Sequence, residues 1–139
     1  MKLSKIINDR SCGYFKVRCT NIYDASLDKL MEYFNLVPIP EYLEECDFDY
    51  AVDVVKTILW KDLAHSIELI KENEAKERAV YIVEQFYDEN TSIYTNGGWA
   101  DYHIKRSSDC YSLTESTFDA GVLFVGEKNA ACVWVEDED

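Results

Sequence analysis

The amino-acid sequence predicts an α+β domain, with about three helices packed on one face of a roughly four-stranded antiparallel sheet. Three observations lead to this class. Residues 13–20 alternate apolar with polar side chains, as a half-buried strand does. The middle of the chain repeats its apolar residues at helical spacing, and the part after residue 91 returns to strand-like runs separated by turn residues. The length of 139 residues is that of one globular domain.

The first strand is followed by a short helix. Asp24 or Ser26 can cap this helix, because both side chains accept hydrogen bonds from the free amides of a first helical turn. Apolar residues then recur at helical spacing up to residue 34. Pro38 and Pro40 end the helix, since proline lacks the amide donor and clashes with the preceding turn.

Two longer helices are predicted in the centre of the chain. The second helix extends from about Phe48 to Leu63, with an apolar stripe built mainly from valine and isoleucine. The third extends from Ser66 to about Asp88 and carries alternating acidic and basic side chains on the face opposite its apolar stripe. These patterns place one face of each helix against the sheet.

The C-terminal part is predicted to be β-structure. Asn96-Gly97-Gly98 indicates a turn, and residues 99–106 alternate as a strand. Two apolar runs, residues 118–125 and 130–135, flank the turn sequence at residues 126–129, which predicts a β-hairpin. The sheet would then consist of these three strands and the N-terminal one.

The chain carries a formal charge of −13, from 27 acidic and 14 basic residues. This balance opposes direct binding to nucleic acid and to anionic membranes, because both depend on basic side chains. It favours encounter with a basic protein, although acidity can also serve solubility alone. No apolar leader or run of ~20 apolar residues is present, so we expect a cytoplasmic protein.

No sequence motif predicts a cofactor, a metal site or catalytic residues. The five cysteines form no CxxC pair, and the two histidines are far apart, so a zinc site is not expected. Glycine loops for phosphate and nucleophile motifs are missing. The alternative to a binding protein is a small enzyme or ligand-binding domain whose pocket lies near His103 and uses Asp101 and a tyrosine.

A first acidic block extends from the loop before the second helix into the first turns of that helix. It has no basic residue and is interleaved with Tyr42, Phe48 and Tyr50. Some of its acids can complement the N-terminal dipole of the second helix, but that role does not need six of them. The six carboxylates are Glu41, Glu44, Glu45, Asp47, Asp49 and Asp53.

A second acidic block lies at the base of the C-terminal hairpin. If Val125 pairs with Ala130, Asp119 is opposite Glu136, and Asp137 adds a further charge. The acids can fray as a solvated tail, bind a basic partner, or hold a divalent metal, for which a lone hairpin offers few fixed oxygens.

These observations predict a small acidic binding protein of the inhibitor, immunity or adaptor type. It would occlude a basic surface of a partner protein, such as a surface that binds nucleic acid, by fit and charge and without chemistry. The predicted contact residues are Glu41, Tyr42, Glu44, Glu45, Asp47, Asp49, Tyr50, Asp119, Glu136 and Asp137. A homo-oligomer joined through the apolar hairpin is a further possibility. The two acidic blocks support partner binding most strongly if the fold brings them onto one face.

Overall fold

A computed structural model describes residues 1–21, 25–105 and 109–138, and its centre is a five-stranded antiparallel sheet. The strand order is β1-β5-β4-β3-β2, so β1 and β2 are the two edges and the β4–β5 hairpin is near the middle. The class is α+β, as the sequence predicts. The strands are β1 (Tyr14–Thr20), β2 (Glu44–Cys46), β3 (Ser92–Thr95), β4 (Phe118–Val125) and β5 (Ala130–Asp137).

Five α-helices surround the sheet within the described residues, two of them longer than ten residues. Two short 3-10 turns, Pro40–Tyr42 and Trp99–Asp101, lie between them. The helices are α1 (Leu3–Asp9), α2 (Leu27–Tyr33), α3 (Phe48–Trp60), α4 (Glu72–Phe86) and α5 (Tyr102–Lys105).

Both faces of the sheet are covered. One face, which includes Val122 and Val133, packs against α1, α3 and α4. The other face, which includes Leu123 and Trp134, packs against α2 and against Leu113 from the loop before β4. The prediction that all helices share one face is therefore wrong for α2. The reason is that β4 and β5 are apolar at successive positions, so that both of their faces must be buried.

Residues 99–106 do not form the predicted strand. Trp99–Asp101 is a 3-10 turn and Tyr102–Lys105 is α5, while Arg106 lies outside the described residues. The buried side chains are Trp99, Tyr102 and His103, which is a helical spacing, and Ile104 is 78% exposed. The alternation of apolar and polar residues is therefore coincidental, and the buried residues follow the spacing of a short helical segment packed on α3.

The third predicted helix begins later than expected, at Glu72 instead of Ser66. The carboxylate of Asp62 accepts the backbone amides of His65 (2.9 Å) and Ile67 (2.6 Å), and Ser66 has a positive φ of 53°. These local hydrogen bonds hold a turn in place of a first helical turn. The second helix, α3, matches its predicted start and ends three residues early.

A buried ion pair joins the two ends of the chain. Arg10 Nη2 and Nη1 lie 2.7 and 2.9 Å from the two carboxylate oxygens of Asp137. Arg10 Nε also donates to the carbonyl oxygen of Ile58, and the amide of Leu63 donates to Asp137. Gly13, at φ 68°, passes so close that an added Cβ would lie 1.9 Å from Asp137 Oδ1. One ion pair therefore holds the end of β5 against the start of the chain and the end of α3.

We expect Asp137→Ala to lower the free energy of unfolding by about 3–5 kcal/mol, because it leaves the Arg10 guanidinium buried without a counter-charge. Urea denaturation measures this change. The control is Glu138→Ala, at the exposed neighbouring residue, which should cost less than about 0.5 kcal/mol. A loss below about 1 kcal/mol for Asp137→Ala would contradict the importance of the pair.

Candidate functional site

The first acidic block forms one edge of the sheet. In β2, Glu44 pairs with Thr95, Glu45 with Tyr94 and Cys46 with Ile93. Because successive side chains of a strand point to opposite faces, Glu44 lies on the side of α3 and Glu45 on the side of α2. The edge therefore presents a carboxylate on each of its two sides.

The chain passes directly from β2 into α3. Asp47 caps α3 by accepting the amide of Tyr50 at 2.8 Å, and Asp49 lies in the first helical turn. We name the acidic edge as the five exposed carboxylates Glu41, Glu44, Glu45, Asp47 and Asp49.

Within the part of the chain that the structure describes, these five carboxylates have no internal counter-charge. No lysine or arginine of the described ranges lies within 4.0 Å of them. Two neighbouring acids differ in this respect: Asp53 pairs with Lys76 at 3.3 Å, and Asp101 pairs with Lys105 at 2.9 Å. The acidic edge therefore keeps its charge available to a partner.

A cleft of about 370 Å³ opens at the acidic edge. The Tyr50 side chain forms one wall, and its hydroxyl donates to the Gly97 carbonyl oxygen at 3.4 Å. Burial raises the pKa of Tyr50, and the negative charges of Glu44 and Asp101 act in the same direction, so the hydroxyl stays neutral. The cleft is lined by Glu44, Glu45, Cys46, Asp47, Tyr50 and Thr95.

Two further tyrosines lie on the α2 side of the edge. The rings of Tyr42 and Tyr111 stack with centroids 4.3 Å apart and an interplanar angle of 11°. Tyr111 is 53% exposed and is held by its backbone amide, which donates to the Asn96 carbonyl oxygen. Tyr111 was absent from the predicted contact residues, because its partner lies 69 positions away and no local pattern joins the two rings.

The second acidic block is largely buried, unlike the acidic edge. The predicted register is confirmed, with Asp119 opposite Glu136. Asp119 is 1% exposed, however, and burial raises its pKa although several hydrogen bonds oppose this shift. Its carboxylate accepts from Asn96 Nδ2, the Leu113 amide, the Thr114 amide and hydroxyl, and Trp134 Nε1 at 3.0–3.3 Å. Asp119 therefore anchors the loop before β4.

The other two acids of this block are also held by internal bonds. Asp137 belongs to the buried pair with Arg10, and β5 continues through it instead of fraying. Glu136 is partly exposed and accepts from the Ser116 hydroxyl at 2.9 Å. Asp119 and Asp137 are thus not available at the surface.

The two acidic blocks are far apart on the sheet, although the side chains of Glu45 and Glu136 point to its same face, that of α2. β2 is one edge of the sheet, whereas β5 lies beside the opposite edge strand. By strand spacing and rise, Glu44 and Glu136 are separated by roughly 14 Å across the sheet and roughly 10 Å along it. Only the acidic edge is therefore retained as a candidate contact surface.

The surroundings of His103 are closely packed. Its Nε2 lies 2.9 Å from the Thr57 carbonyl oxygen and its Nδ1 lies 2.8 Å from the Ser66 hydroxyl. A carbonyl oxygen only accepts, so Nε2 carries a proton. The cavity beside the ring, bordered by Trp60 and Asp101, has a volume of about 30 Å³, which is about the volume of one water molecule. Among the described residues, the space beside His103 is thus too small for a small-molecule substrate.

Comparisons with protein-family models, curated proteins and solved structures find no significant match to this chain. In the described ranges, no helix is long and apolar enough to cross a bilayer. The same ranges contain no group of three or more histidine, cysteine, aspartate or glutamate side chains arranged to hold a metal ion.

The cysteines differ in reactivity. Cys132 is fully buried and Cys46 is half-buried in the cleft, and burial raises the pKa of each thiol to about 12. Cys19 and Cys110 are exposed.

We expect iodoacetamide near neutral pH to label Cys19 and Cys110 first and Cys132 only after denaturation, because the thiolate is the nucleophile. Mass spectrometry of timed samples measures this order, and early labelling of Cys132 would contradict the buried position of β5.

Proposed function

We propose that this protein binds a basic surface of a partner protein through the acidic edge and acts by covering that surface, as an inhibitor, immunity or adaptor factor does. One observation carries the proposal. Five exposed carboxylates, without a counter-charge among the described residues, lie together at the edge of the sheet, and three of them, Glu44, Glu45 and Asp47, line one cleft.

Electrostatic attraction is the first contribution to such binding. A net charge of −13 attracts a basic protein over a distance of about one Debye length, which raises the association rate at low salt. Carboxylates that are already paired inside the protein give up one partner for another. Those of the acidic edge have no basic partner among the described residues, so an incoming cation adds its interaction without breaking an ion pair recorded there.

Aromatic contact is the second contribution. Tyr50 on one side of β2 and the Tyr42–Tyr111 pair on the other can receive the stems and charged heads of lysine and arginine. Cation–π contacts at partly exposed sites contribute about 0.5–1 kcal/mol each. Tyrosine is also enriched where binding energy is concentrated in interfaces.

The proposal favours a partner whose basic surface otherwise holds nucleic acid. Such a surface displays clustered lysine and arginine side chains, whose counterions are released by any closely fitting polyanion. A rigid acidic edge competes with the phosphate backbone for these side chains. Occupation of the surface alone would then block the partner.

We expect the variant Glu44→Gln, Glu45→Gln, Asp47→Asn, Asp49→Asn to associate with the partner about tenfold more slowly at low ionic strength and to lose most of its salt dependence. Asparagine keeps the cap of α3, so the fold is preserved. The partner is first captured from the native host and purified, and stopped-flow mixing then measures the rate across salt concentrations.

A matched control removes the same number of charges elsewhere. Glu77 and Glu84 of α4, Glu127 of the β4–β5 turn and Glu138 are all exposed and lie outside β2 and α3, and their replacement by glutamine changes the net charge equally. If this control slows association as much as the acidic-edge variant, general acidity and not the acidic edge attracts the partner. If neither variant differs from the parent protein, the proposed function is wrong.

A further inference from the structure

We propose that the basic partner contributes an extended segment that pairs with β2 as a sixth strand of the sheet. This inference rests on the proposed function and deepens it, because it states how the acidic edge is recognised. The partner chemistry is a segment with lysine or arginine at successive positions.

The outer side of β2 is open. β2 pairs with β3 along one side, and in the described part of the chain no other strand pairs with it. Backbone groups of a strand point alternately to its two sides, so some amides and carbonyls of Glu44–Cys46 face outward. No backbone hydrogen bond within the described residues uses these groups, and the cleft of about 370 Å³ lies directly beside them.

The side chains of β2 determine which strand fits. An added strand places successive side chains on opposite faces of the sheet. On the α3 side such a side chain meets Glu44, Asp47 and Tyr50, which line the same cleft. On the α2 side the next side chain meets Glu45, and Tyr42, stacked on Tyr111, packs on the same face of the sheet. Both faces thus offer a carboxylate and a ring, and two consecutive basic residues can be bound at once.

A second copy of this chain is a poor occupant of the edge. Pairing β2 with β2 would bring Glu44 and Glu45 of two copies close together, and like charges on paired strands destabilise the pair. The opposite edge strand of a second copy, β1, is also a poor partner for β2. Its Lys16 is buried and donates to the Phe34 carbonyl oxygen, so Arg18 is the one exposed cation that β1 could offer to the two glutamates. Short, charged edge strands resist self-association in general, and a cationic strand escapes this repulsion.

The test uses an eight-residue probe peptide with two adjacent arginines at its centre and threonine elsewhere. One derivative carries N-methyl groups on alternate amides, which leaves one edge able to pair. Another carries N-methyl groups on every amide, which blocks both edges at equal charge. We expect the alternately methylated peptide to bind the intact protein like the parent peptide, and the fully methylated peptide to bind at least about tenfold more weakly, since several backbone hydrogen bonds are lost.

Amide hydrogen exchange gives a second readout, because the parent peptide should slow exchange within Glu44–Cys46 and the fully methylated peptide should not. Equal binding of all three peptides, equal weakening by both methylation patterns, or absence of binding by the parent peptide overturns the inference. Sedimentation of the protein alone as a dimer that dissociates on Glu44→Gln and Glu45→Gln would also overturn it, since a second copy would then occupy the edge. The proposed function fails separately, through the charge variants and the purified partner.

Discussion

The requirement to bury both faces of the β4–β5 hairpin determines most of this fold. Phe118–Val125 and Ala130–Asp137 are almost continuously buried, so neither face can contact water. Helices α3 and α4 cover one face, and α2 with the loop before β4 covers the other. The edges of the sheet are left to shorter or more polar strands. β2, with two glutamates in three residues, is the extreme case, and its place at the edge follows from the burial of the centre.

The acidic residues of this protein serve two distinct roles, which depend on position in the sheet. Asp119 and Asp137 lie where the sheet is buried, and each is surrounded by donors that satisfy its oxygens. Glu44 and Glu45 lie at the open edge, where water satisfies them and a cation can replace the water. An unpaired buried carboxylate costs several kcal/mol, whereas an exposed one costs little. The count of 27 acidic residues therefore overstates the number of carboxylates at the surface.

Local patterns sufficed to predict some elements and failed for others. The register of the hairpin followed from the position of its turn, and the start of α3 near Phe48 followed from its apolar stripe. The burial of Asp137 could not be predicted, because its partner Arg10 is 127 positions away and the charge alone favoured the surface. β2 was missed because three residues are too few to show a period of two. The acidic edge was nonetheless found from composition, since exposed charge clusters need no long-range contact to be recognised.

An edge strand must avoid aggregation and yet remain accessible to a binding partner. If the side chains of β2 were neutral, its outward backbone groups would pair with almost any extended chain. Glu44 and Glu45 repel acidic strands, and a neutral strand would have to desolvate their carboxylates at a cost. The same two carboxylates attract a strand that carries arginine or lysine. Selectivity thus comes from charge, while the hydrogen bonds that the strand would form are independent of sequence. In our proposal, a short acidic edge is for this reason both a barrier to aggregation and a selective binding site for a basic segment.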